Sequence, residues 1–304
     1  MKKIFVACLF LLCSLTPVWA ADSLAPKVVV SIKPLHSLVS GVMLGVGEPQ
    51  LLVKGGGSPH GYILRPSEAK ALSKADLVVW VGHDLESFLE KPLSTLGHQA
   101  RQLELAEYLH KELLTKRKNG NWESHDHQHH DDKEYTDLHL WLDPILAQKI
   151  VIQTGNILAE LDPHHQSLYQ ANVKRLVEKL QQLDRNLKKQ LEPVKDAPYI
   201  VFHAAYQYFE SAYGLNAIGS ITIDPNRKPG AKRIKEIRHK IDQLQARCVF
   251  SEPQFESRLV ATVLEGTAAK SGVLDPLGAD LPAGPEAYFQ LMTRLGENLY
   301  EGLK

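Results

Sequence analysis

Beyond residue 20 the chain alternates between short apolar runs and longer stretches whose apolar positions fall three and four residues apart. Val28 to Ile32, Gln50 to Val53 and Leu77 to Val81 are β-rich runs, with a weaker one near Gln102 to Leu105. Between them the spacing predicts helices over Leu35 to Leu44, Pro66 to Lys74 and Leu85 to Leu89, the second opening on a proline suited to a first helical turn. The same rhythm returns later. Tyr199 to Phe202, Asn216 to Ser220, Cys248 to Ser251 and Gly272 to Leu274 read as strands. Helices are expected near Ala205 to Tyr213, Ala231 to Leu244, Ser257 to Ala269 and Pro285 to Leu303. Strands alternating with helices imply an α/β fold of mostly parallel sheets with helices on both faces.

Two features divide this pattern. After a helix over Pro144 to Leu161, apolar residues recur at Val173, Leu176, Val177, Leu180, Leu183, Leu187 and Leu191. A helix from 163 to 191 would reach roughly 40 Å at 1.5 Å per residue. One small lobe does not need that length, so it reads as a rigid connector between two (β/α) lobes. The chain then divides into an N-terminal lobe (21–162), the connecting helix (163–191) and a C-terminal lobe (192–304). Within the first lobe, residues 118–137 lose all periodicity and carry His125, His127, His129 and His130 among several acids, as a polar loop does.

The first twenty residues have a different character. Lys2 and Lys3 precede an apolar run from Ile4 to Leu15, and Val18 and Ala20 stand at −3 and −1 of a cut after Ala20. This is the form of a cleavable secretory signal, too short for a membrane-spanning helix. Cys8 and Cys13 leave with it, so Cys248 is left without an intrachain partner. The whole chain of 304 residues balances 35 basic against 35 acidic side chains, and loss of Lys2 and Lys3 leaves 33 against 35. Neither balance supplies the field that a nucleic-acid or anionic-membrane binder needs. The unusual number is 14 histidines, the commonest metal-binding side chain.

Three histidines stand at strand ends or turns: His60 in GGGSPHGY, His139 in HLWLDP and His203 in IVFHAAY. Ligands of open α/β sheets bind beyond the carboxyl ends of strands, which places His203 well. Separations of more than sixty residues exclude a local finger, so a shared site has to be assembled by the fold. Asp275 in VLDPLG follows the last strand; it is either a fourth donor or a cap on the turn at Pro276. A set of three imidazoles and a carboxylate suits Zn²⁺. The histidines of the 118–137 loop form a secondary, low-affinity metal segment, because an unstructured donor set gains little from rigidity.

The segments GGGSPHGYILRPSEAKALSKADLVVWVG, HLWLDP, VFHAAYQYFESAYGL, CVFSEPQF and LDPLGADL together resemble the ZnuA-type periplasmic substrate-binding proteins of zinc ABC transporters. The likeness runs from about Val28 to the C-terminus. It implies two (β/α) lobes on one long helix, with the metal in the cleft between them. It places the family's imidazole ligands on His60, His139 and His203 and its carboxylate on Asp275. Manganese and iron relatives carry Glu where this chain has His203, and imidazole favours Zn²⁺ whereas carboxylate-rich sites suit Mn²⁺. Some zinc relatives tie the strand of Cys248 to a C-terminal cysteine; this chain ends EGLK and lacks that tie.

The function expected from this resemblance is capture of Zn²⁺ in the periplasm by a monomer that delivers it to an inner-membrane permease with a cytoplasmic ATPase. No nucleic acid and no direct membrane insertion are expected. A zinc hydrolase is a rival, but the chain has no HExxH or GxSxG motif and no evident base paired to the cluster. A storage or adhesive protein is another, with the His-rich loop as its main binder.

Overall fold

The computed structural model describes residues 25–117, 136–222, 225, 229–256 and 258–304. The signal segment, the cut after Ala20 and His125, His127, His129 and His130 lie outside the described residues. Among the described residues eight strands form two four-stranded sheets, and all their pairings are parallel. The first sheet contains β1 (Val28–Val30), β2 (Gln50–Leu51), β3 (Leu77–Trp80) and β4 (Arg101–Glu104), in the order β2-β1-β3-β4. The second contains β5 (Tyr199–His203), β6 (Ala217–Thr222), β7 (Cys248–Ser251) and β8 (Lys270–Val273), in the order β6-β5-β7-β8. The two sheets thus share one topology. In each, the order reverses beside the first strand, which opens a crevice at the carboxyl ends.

In chain order the helices are α1 (Lys33–Val42), α2 (Pro66–Leu72), α3 (Glu90–Thr95), α4 (Leu105–Tyr108), α5 (Pro144–Leu161), α6 (Gln166–Leu191), α7 (Gln207–Tyr213), α8 (Ala231–Leu244), α9 (Arg258–Leu264) and α10 (Ala287–Leu303). Local chemistry sets several of their ends. The Asp143 carboxylate accepts the Ile145 N–H at 2.7 Å and Pro144 takes the first turn of α5. Gly214 closes α7 at φ +64°. The helix expected over Leu85 to Leu89 is a single 3₁₀ turn, Ser87–Leu89, leading into α3. That shift places Pro92 in the first turn of α3, where its missing N–H costs nothing. The turn of α4 is too short to show a period.

The long helix begins at Gln166, not Pro163, because residues 163–165 form a 3₁₀ elbow. There the Asp162 carboxylate takes His165 Nδ1 at 2.7 Å and the Tyr169 hydroxyl at 3.0 Å. The 26 residues of α6 span about 39 Å. They bury Leu176, Leu180, Leu183, Leu187 and Leu191 along one stripe. Its neighbours are α1, α5 and α10, and a single apolar core runs from Val28 and Val79 through this stripe to Tyr199, Phe250 and Met292. The connector is therefore packed into both lobes. Helix α10 also lies on Cys248: a Cβ at Gly302 would come within 3.1 Å of the thiol sulfur. Burial pushes that thiol up to about 12.

Helices α5 and α6 pack tightly at Gly155, where an added Cβ would fall 2.3 Å from Cγ2 of Val173. Val173 is β-branched and stiff at χ1, so it cannot turn aside. Gly155→Ala should lower stability by about 1–3 kcal/mol through overpacking, more than the roughly 0.5–1 kcal/mol that alanine returns in a helix interior. Urea unfolding should show this loss, with partial recovery when Val173→Ala is added. An unchanged or higher midpoint for Gly155→Ala alone would contradict the packing described.

Candidate metal centre

His203 ends β5, and Glu252 follows the last residue of β7, so the two flank the crevice of the second sheet. His60 is carried on the loop beyond β2, in a one-turn 3₁₀ segment, Pro59–Gly61. The glycines before it allow that path: Gly55 sits at φ +63°. Tyr62 anchors the far side of the loop by donating to Glu68 Oε1 at 2.8 Å, and Glu68 in turn accepts the Arg65 N–H at 2.8 Å. His139 caps the 3₁₀ turn Leu140–Leu142 before α5. Three separate stretches of chain thereby meet at one place.

One ring nitrogen from each of His60, His139 and His203 lies within 4.8 Å of the other two. The ring centroids are 5.2 to 5.7 Å apart. His139 and His203 are buried, while His60 is partly open to solvent. Trp141, Phe255, Pro59, Pro276 and Leu277 wall the pocket, so the donors face a largely apolar enclosure. Phe255 presents an edge to His203 at 5.8 Å while stacking on Phe202.

The imidazoles are oriented from behind. Asp137 Oδ1 accepts both Nδ1 of His139, at 2.8 Å, and its backbone N–H, at 3.0 Å. Glu252 Oε1 does the same for His203, at 2.7 and 3.3 Å. Both carboxylates are buried. A neutral imidazole whose Nδ1–H is donated has only a lone pair at Nε2. The Nε2 atoms of His139 and His203 stand 3.3 Å apart. Two such acceptors repel unless a proton or cation lies between them. Carboxylate-backed imidazole is the arrangement that fixes the tautomer of metal-binding histidines. At His60, burial first, then the neighbouring imidazoles His139 and His203 and the Lys116 ammonium, push the pKa down to about 2. Its ring is therefore neutral at any physiological pH.

Asp275 is not brought into this group. Its Oδ1 accepts Gln254 Nε2 at 2.7 Å and the N–H groups of Leu277 and Gly278 at 3.0 and 2.9 Å, and its Oδ2 accepts the Ala279 N–H at 2.5 Å. Of the two roles open in the sequence, the structure shows the turn cap. The carboxylates that serve the imidazoles are Asp137 and Glu252, which sequence reasoning did not select. Asp137 lies two residues before His139, a spacing that could have flagged it. Glu252 pairs across 49 residues, and no local pattern announces it.

Two parallel sheets of matching topology, a packed connecting helix and donors converging at the crevice define the two-lobed solute-binding class. The sequence matches the family described as "ZnuA: Zinc-uptake complex component A periplasmic" over residues 28–302. The chain belongs to the ZnuA family. It is 45% identical to the "High-affinity zinc uptake system protein ZnuA" of Brucella abortus (strain 2308), over 97% of this chain and 98% of that protein. The protein of the same name from Yersinia pestis is 35% identical over 91% of each chain. Among solved structures, a "Crystal structure of ZnuA" superposes with a TM-score of 0.77 at 25% identity, covering 92% of this chain and all of that one. The laminin-binding adhesin of Streptococcus agalactiae shares the fold at a TM-score of 0.77 and 24% identity, covering 92% of this chain and all of that one.

When the protein is loaded with Zn²⁺, a long-range ¹H–¹⁵N correlation spectrum should show His139 and His203 protonated at Nδ1 and bare at Nε2. Protonation at Nε2 of either ring would contradict the orientation assigned to Asp137 and Glu252.

Proposed function

We propose that this protein captures Zn²⁺ between its lobes through His60, His139 and His203 and hands it to an ABC importer for high-affinity zinc uptake. One observation carries the reading: the Nε2 atoms of two buried imidazoles face each other at 3.3 Å, and Nδ1 of each ring is held by a buried carboxylate. Three nitrogen donors in an apolar enclosure suit zinc better than the oxygen-preferring Mg²⁺ or Mn²⁺. The names of the relatives from Brucella and Yersinia support the same cargo. The protein is a solute carrier rather than an enzyme, and it works in the periplasm after a cut behind Ala20. Its partners are an inner-membrane permease and the cytoplasmic ATPase that drives it. Among the described residues no helix is long and apolar enough to cross a membrane.

The division into lobes at 21–162 and 192–304 around a connector at 163–191 is supported by topology: one sheet is complete before α6 and the other begins after it. The histidines at 125, 127, 129 and 130 act as a secondary, weaker binder.

Zn²⁺ titration of His60→Ala, His139→Ala and His203→Ala, in a background lacking residues 118–134, tests the site. Each substitution should weaken binding by about 100-fold or more, the upper end of what loss of even an outer-shell partner costs. Asp137→Asn and Glu252→Gln should cost about 10- to 100-fold. Undiminished tight binding in all three alanine variants would remove the site.

A further inference from the structure

Lys33 is a buried lysine in the first turn of α1, where a cation opposes the helix dipole. Its Nζ reaches across to the loop between β8 and α10. There it donates to the carbonyls of Gly278, Ala279 (3.0 Å) and Leu281 (2.8 Å). An ammonium has three protons, and all three are used. The loop's N–H groups go the other way, with those of Leu277, Gly278 and Ala279 bound by Asp275. The turn is thus held between two opposite charges, the ammonium on its carbonyls and the carboxylate on its amides. Gly278 makes the turn at φ +67°.

This turn forms a wall of the metal pocket. Pro276 and Leu277 line it, and the Pro276 carbonyl accepts Trp141 Nε1 at 2.8 Å. Trp141 in turn lies against His139, with ring centroids 5.3 Å apart. The carboxylate nearest in sequence to the pocket wall is therefore committed to a structural turn by a residue about 240 positions away. Burial lowers the Lys33 pKa, while Asp275 and then Asp280 raise it, so the ammonium and the turn's carboxylate attract each other.

We infer that Lys33 is a specificity-determining residue: by clamping the 276–281 turn it keeps Asp275 out of the metal shell, leaving three imidazoles and one open position. This rests on the zinc site proposed above. A three-nitrogen site with an open fourth position favours Zn²⁺, whereas an added carboxylate moves the donor set toward Mn²⁺. Lys33 touches no donor of the cluster itself. It acts through the turn, as a positioning residue.

The test compares Zn²⁺ and Mn²⁺ affinities of the purified protein and its Lys33→Met, Asp275→Asn and doubly substituted forms. Co²⁺ absorption in the visible range reports coordination number. Lys33→Met keeps the apolar stem and removes the ammonium. It should shift the Zn²⁺/Mn²⁺ affinity ratio toward Mn²⁺ by at least tenfold and weaken the intense Co²⁺ bands of a four-coordinate site. The double variant should restore the original ratio, since the freed carboxylate is gone. Loss of packing alone would move neither the ratio nor its reversal. A folded Lys33→Met protein with unchanged ratio and Co²⁺ spectrum would overturn the inference. Should Lys33→Met fail to fold, Lys33→Gln takes its place and is read in the same way; with either variant, a loss of Zn²⁺ affinity above fivefold in Asp275→Asn shows Asp275 already in the shell and overturns the inference. His203→Ala serves as the control for the site. If it binds Zn²⁺ like the parent, the site reading has failed, independently of Lys33.

Discussion

Behind each of the two buried imidazoles stands a carboxylate, and this pairing governs what the cleft can hold. Asp137 takes the Nδ1–H of His139 and Glu252 that of His203, which turns the two Nε2 atoms toward each other at 3.3 Å. Flipping either ring would take the imidazole donor from its buried carboxylate and leave it the backbone N–H alone, at a cost of about 1–3 kcal/mol. The stable arrangement is a positive charge between the rings. His60 adds a third ring nitrogen from a loop that leaves it partly open to solvent.

The fold supplies this geometry through its two crevices. Each sheet reverses its strand order at its first strand, and the functional side chains lie at or beyond carboxyl ends: His60 after β2, His203 on β5, Glu252 after β7. Helix α6 joins the two halves through its leucine stripe, which is buried in a core common to both. Helix α10 adds a second tie. The backbone N–H of Tyr288, at its start, donates to Ser37 Oγ of α1, and the Tyr288 hydroxyl donates to the Trp141 carbonyl. A carrier built this way has much of its cleft formed in advance, which limits the ordering cost of binding.

Most of this architecture was legible in the chain. All eight strands were expected within a few residues, since buried parallel strands read as continuous β-branched runs such as Val28–Val30 and Leu77–Trp80. The three histidines stood out by position at strand ends. What sequence could not supply was the long-range partner. Asp275 follows β8 where the sequence offers either a donor or a turn cap, and only the fold shows its oxygens accepting from Gln254 and three backbone amides. Glu252 reads as an ordinary acid in SEPQF until the fold lays β7 beside β5. Lys33 and the turn at Gly278 are likewise unrelated until α1 is packed against the end of the chain.

The central claim is that one cation sits among three imidazoles drawn from distant parts of the chain. An anomalous difference map recorded at the zinc edge from crystals of the loaded protein tests it most directly. A single strong peak in bonding contact with His60, His139 and His203, and out of contact with Asp275, is the result this account predicts. A peak elsewhere, or imidazoles parted with no density between them, would contradict it.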